Sequence, residues 1–299
     1  MYNIIKNIYG FYEVDPKPSK EELNSFYENQ YFQKNHSTYS STYSDCELEY
    51  FANVARIAEA TINCYQPKLT KSLLDLGCGE GFFSKYFLHA QWDVTAVDFS
   101  SSGIRNHNPE VLDVFNKNDI FEFISDAEGN GISWGLINLD NVLEHVLEPV
   151  SLLRSIKNLM TNHSILRIEV PNDFSSYQKF LFENGHDDEH WVSPPQHLSY
   201  FSVCSLRNLL EQLGFKILSL QADYNIEQFI LNKHSNYVRD KSLGKQAYMS
   251  RILNTNYLAR NDVSKLMSLM EISAELDFGR LLTTYVKLDK CSQDGSGLG

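Results

Sequence analysis

At 299 residues, 42% of them hydrophobic, the chain is long enough to bury a sizeable core as one large domain or one domain with insertions. Its 26 basic and 38 acidic residues give a net charge of −12 with no Lys/Arg cluster to offset it, which excludes nucleic acid as a general partner. The cysteines (46, 64, 78, 204 and 291) form no C-x-x-C pair and no metal spacing, so they read as reduced thiols of a cytoplasmic protein. No run approaches the roughly 18 apolar residues of a membrane span, and Met1–Glu13 lacks the apolar stretch and cleavage site of a signal peptide.

In chain order, residues 1–18 read as extended, closing on Asp15-Pro16-Lys17-Pro18. Ser19 opens a helix over Glu21–Glu28, with Glu22 completing a capping box. The polar run His36–Ser44 has no apolar periodicity and reads as loop. From Glu47 to about Cys64, Leu48, Phe51, Val54, Ile57, Ala58 and Ile62 recur at helical spacing, ended by Pro67. Strands and helices then alternate. Strands are predicted at Ser72–Leu76, Asp93–Val97, near Val111–Val114, at Gly135–Leu139, Ile165–Val170 and Phe215–Leu220. Helices are predicted after Gly81, from Pro149, and from a Ser202 cap to Gly214. A last strand falls at Thr283–Leu288, beyond a mostly helical stretch. This alternation implies an α/β, Rossmann-like doubly wound, mostly parallel seven-stranded sheet.

The chemistry concentrates at the carboxyl ends of these strands, where a parallel sheet binds ligands. The first strand runs into Asp75-Leu76-Gly77-Cys78-Gly79-Glu80-Gly81, a glycine turn that lets backbone approach a ligand closely. A G-x-G-x-x-G dinucleotide fingerprint has its third glycine where Phe82 stands, which disfavours a nicotinamide dehydrogenase, and no G-K-[ST] marks a phosphate loop. Asp98 and Phe99 close the second strand, Asp119 and Ile120 follow the third, and Leu139, Asp140 and Asn141 end the fourth. A carboxylate suits a ribose diol because it accepts two hydrogen bonds and donates none. Next comes Val142-Leu143-Glu144-His145, and between the fifth strand and the next helix lies the stiff, aromatic His190-Trp191-Val192-Ser193-Pro194-Pro195-Gln196-His197-Leu198-Ser199-Tyr200. An unshifted histidine titrates near neutrality and can accept a hydroxyl proton.

The D-x-G-x-G-x-G turn with Asp98 resembles motif I of the class I S-adenosylmethionine-dependent methyltransferases, and V-L-E-H resembles the group that includes the ubiquinone-biosynthesis O-methyltransferases. Pro195, His197, Phe201 and Ser202 match a P-x-H-x-x-x-F-S pattern of related methyltransferases. The pieces outside the core resemble a bacterial branch linked with surface-glycan or specialised-metabolite assembly. What the resemblance implies is a cytoplasmic small-molecule methyltransferase using S-adenosylmethionine. Asp75, Gly77, Cys78, Gly79, Gly81, Asp98, Phe99, Asp119, Ile120, Leu139, Asp140 and Asn141 would hold the cofactor. Asp98 would take the ribose, Asp119 the adenine amino group, and the Leu139–Asn141 end the methionine amine. His145 and His197 are the candidate bases for O-methylation of a sugar-like or specialised-metabolite acceptor. Tyr31, His190, Trp191 and Tyr200 are candidate acceptor contacts, with Tyr39 and Tyr43 further aromatics for the sulfonium. For some of that group the resemblance implies a divalent metal held by two acids and this histidine; Asn141 stands where the first acid would be, so no metal is expected. N- or C-methylation, and a non-catalytic cofactor-binding scaffold, are the competing readings.

The expected organisation is an N-terminal cap (1–65), a cofactor-binding core (66–222 plus 280–290) interrupted by an active-site loop (172–200), a helical insert (223–279) and a flexible tail (291–299). The insert serves as an acceptor roof or mediates a homodimer.

Overall fold

The computed structural model describes residues 2–26 and 42–289. The expectations placed on Tyr31, Tyr39 and the 291–299 tail lie outside the described residues. Ten strands and ten helices are described: β1 (Asn3–Lys6), β2 (Tyr12–Asp15), α1 (Lys20–Phe26), α2 (Asp45–Tyr65), β3 (Ser72–Leu76), α3 (Phe82–His89), β4 (Asp93–Asp98), α4 (Ser102–His107), β5 (Phe115–Lys117), α5 (Ile120–Gly129), β6 (Leu136–Asp140), α6 (Pro149–Asn158), β7 (Ile165–Pro171), α7 (Ser176–Glu183), β8 (Ser199–Tyr200), α8 (Val203–Gln212), β9 (Phe215–Ala222), α9 (Gly244–Asn261), α10 (Val263–Glu275) and β10 (Leu281–Leu288).

Seven strands form one sheet in the order β5-β4-β3-β6-β7-β10-β9. The β5, β4, β3, β6 and β7 pairings are parallel, and β10 runs antiparallel to both β7 and β9. The last strand thus inserts between β7 and β9, and the chain between β9 and β10 is the helical stretch expected from the sequence. Strand order reverses at β3, whose neighbours are β4 and β6; this switch point opens the crevice in which such sheets bind ligands. A small antiparallel sheet, β1-β2-β8, joins the N-terminal segment to the loop before α8.

The helices form where sequence periodicity and caps agree. In α1 the Glu22 carboxylate accepts from the Ser19 backbone N–H at 2.8 Å, while the Glu22 N–H donates to Ser19 Oγ at 3.1 Å. In α2, Tyr50, Ile57, Ala58 and Ile62 face inward, and Glu47 accepts from the Ser44 N–H at 2.8 Å. Pro149 starts α6, whose Leu152, Leu153 and Ile156 are fully buried. The main core lies on the face of the sheet formed by Leu74, Leu76, Ile137, Leu139, Leu166 and Ile168. A second cluster covers the opposite face, where Ile62 of α2 meets Leu73, Val94 and Tyr285.

One strand is displaced from its predicted place. Val111–Val114 belongs to a 3-10 turn, Pro109–Val114, and the strand is Phe115–Lys117. Pro109 starts the turn with a fixed φ. The apolar run packs as a buried side, with Val111 against Ala96 and Ile104, rather than pairing with β4. A four-residue apolar run does not by itself distinguish these outcomes.

Candidate active site

The glycine turn is left-handed at three positions, with φ of +75° at Gly77, +55° at Gly79 and +78° at Gly81. A Cβ on Gly77 would lie 2.5 Å from Val142 Cγ2, so this glycine also lets the turn touch the loop after β6. Asp98, at the end of β4, is nearly buried and braces the same turn: Oδ2 accepts from the Gly79 N–H at 3.0 Å and Oδ1 from the Ser100 N–H at 2.9 Å. Burial raises its pKa. Each oxygen keeps acceptor capacity for a diol.

Asp75 is placed differently from its neighbours in the motif. It is fully buried, with Oδ2 accepting from Ser84 Oγ at 2.6 Å and Oδ1 from Asn138 Nδ2 at 2.8 Å, and burial pushes its pKa up to about 6. Both oxygens are used to join β3, α3 and β6, so this acid supports the turn from beneath. Burial also raises the Cys78 thiol. Phe99 is half exposed beside Asp98. Asp119 is exposed and caps α5, accepting the N–H groups of Phe121 at 2.9 Å and Glu122 at 3.3 Å, with Ile120 partly buried behind it.

Tyr43 reaches the turn as well. Its hydroxyl donates to the Glu80 carboxylate at 2.9 and 2.8 Å, and its ring meets Phe51 and Phe82 edge-on. His107 Nε2 lies 3.1 Å from the same carboxylate. The segment leading into α2 therefore closes over the glycine turn.

At the end of β6, Leu139 is buried, Asp140 is partly buried, and Asn141 is exposed in a left-handed conformation with φ of +51°. Asn141 Nδ2 donates to Asp140 Oδ1 at 2.7 Å. Asp140 Oδ2 accepts from Arg167 Nη1 at 3.0 Å, and Arg167 reaches Asn138 at 2.8 Å and Glu169 at 2.5 Å. Burial raises Glu169 to about 7 despite Arg167. This polar chain, from Ser84 through Asp75, Asn138 and Arg167 to Glu169, crosses under the carboxyl edge of the sheet. Sequence reasoning missed it. Its signal was the alternation in Ile165-Leu166-Arg167-Ile168-Glu169-Val170, which puts both charges on one face.

Beside that chain lies a cavity of about 270 Å³ between α2, α9, α10 and the ends of β7, β9 and β10. Arg167, Glu169, Asp223 and Arg251 line one part; Leu258 and Met270 line another. Arg251 Nη2 bonds Asp223 at 2.8 Å and Tyr50 Oη at 2.7 Å. The wall formed by α9 and α10 comes from the segment read as the helical insert.

The two candidate histidines are brought together from segments far apart in sequence. The backbone carbonyl of Glu144 accepts from the N–H groups of Leu198 at 2.8 Å and Ser199 at 3.1 Å, which pins the long loop against the end of β6. The rings of His145 and His197 then meet edge to face with centroids 4.9 Å apart. His145 Nδ1 lies 2.6 Å from the Gln196 carbonyl oxygen and is the donor of that bond, leaving Nε2 toward Glu144 Oε1 at 3.7 Å. Burial lowers the pKa of both rings, that of His197 to about 3, so both are neutral at pH 7. Glu144 was not among the residues singled out; it is almost fully buried, and burial holds its carboxyl well above the usual range.

The acceptor candidates divide. His190 is partly exposed and pairs with Asp187 at 2.5 Å. Trp191 and Tyr200 are 2% and 1% exposed and pack edge-on around Phe174. The Tyr200 hydroxyl donates to the His197 carbonyl at 3.0 Å. Both rings pack inward within the loop, and the β2–β8 pairing of Tyr12 with Tyr200 holds the second of them there.

Among the described residues, no helix is long and apolar enough to cross a membrane. Residues 44–220, more than half of the chain, match the family model described as a methyltransferase domain. The chain is 25% identical over 155 residues to the ubiquinone biosynthesis O-methyltransferase of Actinobacillus pleuropneumoniae serotype 7 (strain AP76). That match covers 46% of this chain and 66% of the relative, just under two thirds of its length. The fold is similar to that of the plantazolicin methyltransferase BpumL in complex with a monoazolic desmethylPZN analogue and SAH, at 16% identity and a TM-score of 0.53, covering 90% of this chain and 94% of that one. It is also similar to the 1,6-didemethyltoxoflavin-N1-methyltransferase of Burkholderia thailandensis, at 16% identity and a TM-score of 0.51, covering 97% and 99%. With the sheet order and the glycine turn, the family match establishes that the chain belongs to the methyltransferase domain family, as a class I S-adenosylmethionine-dependent methyltransferase.

Proposed function

We propose that the enzyme transfers the methyl group of S-adenosylmethionine to a hydroxyl of a small polar acceptor, sugar-like or from specialised metabolism, in the cytoplasm. The observation that carries the choice of oxygen is the cluster of Glu144, His145 and His197, where the loop after β6 meets the long loop before α8. A hydroxyl must lose its proton as the O–CH3 bond forms, whereas an amine needs only its neutral form, so neutral imidazoles beside the site favour a hydroxyl. As the methyl leaves sulfur, the sulfonium becomes a neutral thioether, and an acceptor held in line supplies much of the rate through proximity. Asp98 takes the ribose diol, Gly77–Gly81 admit the methionine portion, and Asp119 with Ile120 serve the adenine. The cavity of about 270 Å³ under α9 and α10 supports assigning the 223–279 segment to the acceptor roof. Its balanced charges, Arg167 and Arg251 with Glu169 and Asp223, suit a neutral polar group, and His190 and Tyr31 remain acceptor contacts.

The test is turnover, read as S-adenosylhomocysteine release, against a panel of sugars, phenols and amines, with the methylated atom located by mass spectrometry and NMR. Hydroxyl acceptors alone are expected to react. His145→Ala and His197→Ala should keep cofactor affinity, and at least one should abolish turnover. Methylation confined to nitrogen, or full activity in both variants, overturns the assignment. Cofactor binding with no acceptor across the panel favours a scaffold.

A further inference from the structure

We infer that the acceptor is a compact amphipathic molecule held in the cavity of about 270 Å³. Its uncharged polar end meets Gln221, Asn225 and Arg251, and its hydrocarbon remainder, no larger than one substituted ring, is enclosed by α2, α9 and α10. The word acceptor rests on the methyltransferase reading; the cavity and its chemistry do not.

The two ends of the cavity differ. At one, Ile57 of α2, Leu258 of α9 and Leu266 and Met270 of α10 meet as one apolar cluster, and most of the wall is carbon. The other lies at the ends of β7 and β9 and in the chain just after β9. Three lining residues there each have a buried polar atom with no hydrogen-bond partner among the described residues. Gln221 is fully buried; its Nε2 donates to Thr61 Oγ1 and Ser219 Oγ at 3.1 Å, and Oε1 is left over. Asn225 Oδ1 accepts from the Glu227 N–H at 3.0 Å, and Nδ2 is left over. Arg251 commits Nη2 to Asp223 and Tyr50, and Nε is left over. An empty cavity is apolar, whereas unsatisfied buried polar atoms need a physical reason.

Two free donors and one free acceptor call for a group that both accepts and donates, which a hydroxyl or a carboxamide supplies. The charges beside them are already paired, Arg251 with Asp223 and Arg167 with Glu169, so neither an ammonium nor a carboxylate finds a counter-ion. Volume sets the upper limit. An apolar cavity of about 150 Å³ takes benzene, so this one accommodates a single ring with its substituents. A fully hydroxylated sugar would press most of its hydroxyls onto carbon, where each unpartnered group is costly. A sugar qualifies only where deoxygenation leaves it an apolar edge. The polar end adjoins the cofactor crevice, since Arg167 lines the cavity and bonds Asp140 at the end of β6.

The experiment compares three molecules of one ring size and different polarity: cyclohexanol, cyclohexane-1,2-diol and myo-inositol. Each is titrated by NMR into protein with and without S-adenosylhomocysteine, with methionine methyl labelling to place it and Met270→Leu to assign the Met270 signal. Cyclohexanol and the diol should bind, with Overhauser contacts from ring hydrogens to the Met270 methyl. myo-Inositol should bind at least roughly 10-fold more weakly because its further hydroxyls lose water without finding partners. Met270→Trp, which fills the cavity, should weaken cyclohexanol by at least roughly 10-fold. Leu258→Phe should do the same if the tryptophan variant fails to fold. S-adenosylhomocysteine affinity is measured in parallel by calorimetry. Its absence in the wild-type protein removes the methyltransferase reading, while the cyclohexanol result still decides the cavity. No cyclohexanol binding, contacts that exclude Met270, myo-inositol as tight as cyclohexanol, or wild-type cyclohexanol affinity in the cavity-filling variants overturns the proposal.

Discussion

Gly77→Ala tests whether the glycine turn and the loop after β6 are built as one unit. The new methyl meets two separate obstacles. Gly77 has φ of +75°, a left-handed conformation that costs an L-residue about 1–2 kcal/mol. Its Cβ would also sit 2.5 Å from Val142 Cγ2, an overlap relieved by forcing the Val142 side chain into another rotamer or by moving the loop that carries Glu144 and His145. Overpacking of this kind costs about 1–3 kcal/mol. The single variant should therefore lose about 2–5 kcal/mol of stability. Val142→Ala removes the overlap but not the backbone cost. The double variant should be more stable than the sum of the two singles predicts by about 1–3 kcal/mol. Urea denaturation of the four proteins measures each corner of this cycle. Additivity of the two substitutions within about 0.5 kcal/mol would show that the loops do not share this contact and would refute the reasoning.

Two other substitutions probe the acids. Asp98→Ala removes the acceptor of the Gly79 and Ser100 N–H groups and the proposed ribose ligand; charge-assisted hydrogen bonds are worth about 1.5–3 kcal/mol each, so S-adenosylhomocysteine affinity measured by calorimetry should fall by roughly 100-fold or more, and an unchanged value removes the ribose assignment. Asp75 titrates near 6 against an ordinary value of 3.8 because it is buried. A raised carboxyl binds its proton more tightly in the folded state, so its stabilising contribution is whole below pH about 4 and is lost as pH rises through about 6, a change of about 3 kcal/mol. Asp75→Asn should flatten the stability–pH curve over that window relative to wild type; parallel curves would mean that Asp75 stays ionised.

Much of the framework was legible because it is written in local chemistry. The left-handed turn needed glycine at 77, 79 and 81, and alternation of apolar strands with capped helices located six of the seven sheet strands, including β10 far beyond the rest. Asp98 lies where a carboxylate following a strand was expected. The third strand was misplaced because a short apolar run packs equally well as one side of a 3-10 turn, which Pro109 initiated. Trp191 and Tyr200, expected as acceptor contacts in a loop rich in aromatics, lie buried against Phe174, and pairing of β8 with β2 holds Tyr200 there.

What the sequence determined by itself was the order of the elements and the residues at their ends, since both follow from spacing along the chain. Tertiary structure alone decided which distant side chains became neighbours. Fifty-one positions separate His145 from Gln196, yet two backbone hydrogen bonds to Glu144 bring that loop in beside it and set His197 against His145. Arg167 and Glu169 are two charges on a strand until β6, β10 and α9 surround them, whereupon burial turns them into a network joining Asp140 to the cavity wall. Strand pairing and desolvation act through space, so periodicity records which face a residue takes but not what meets it there.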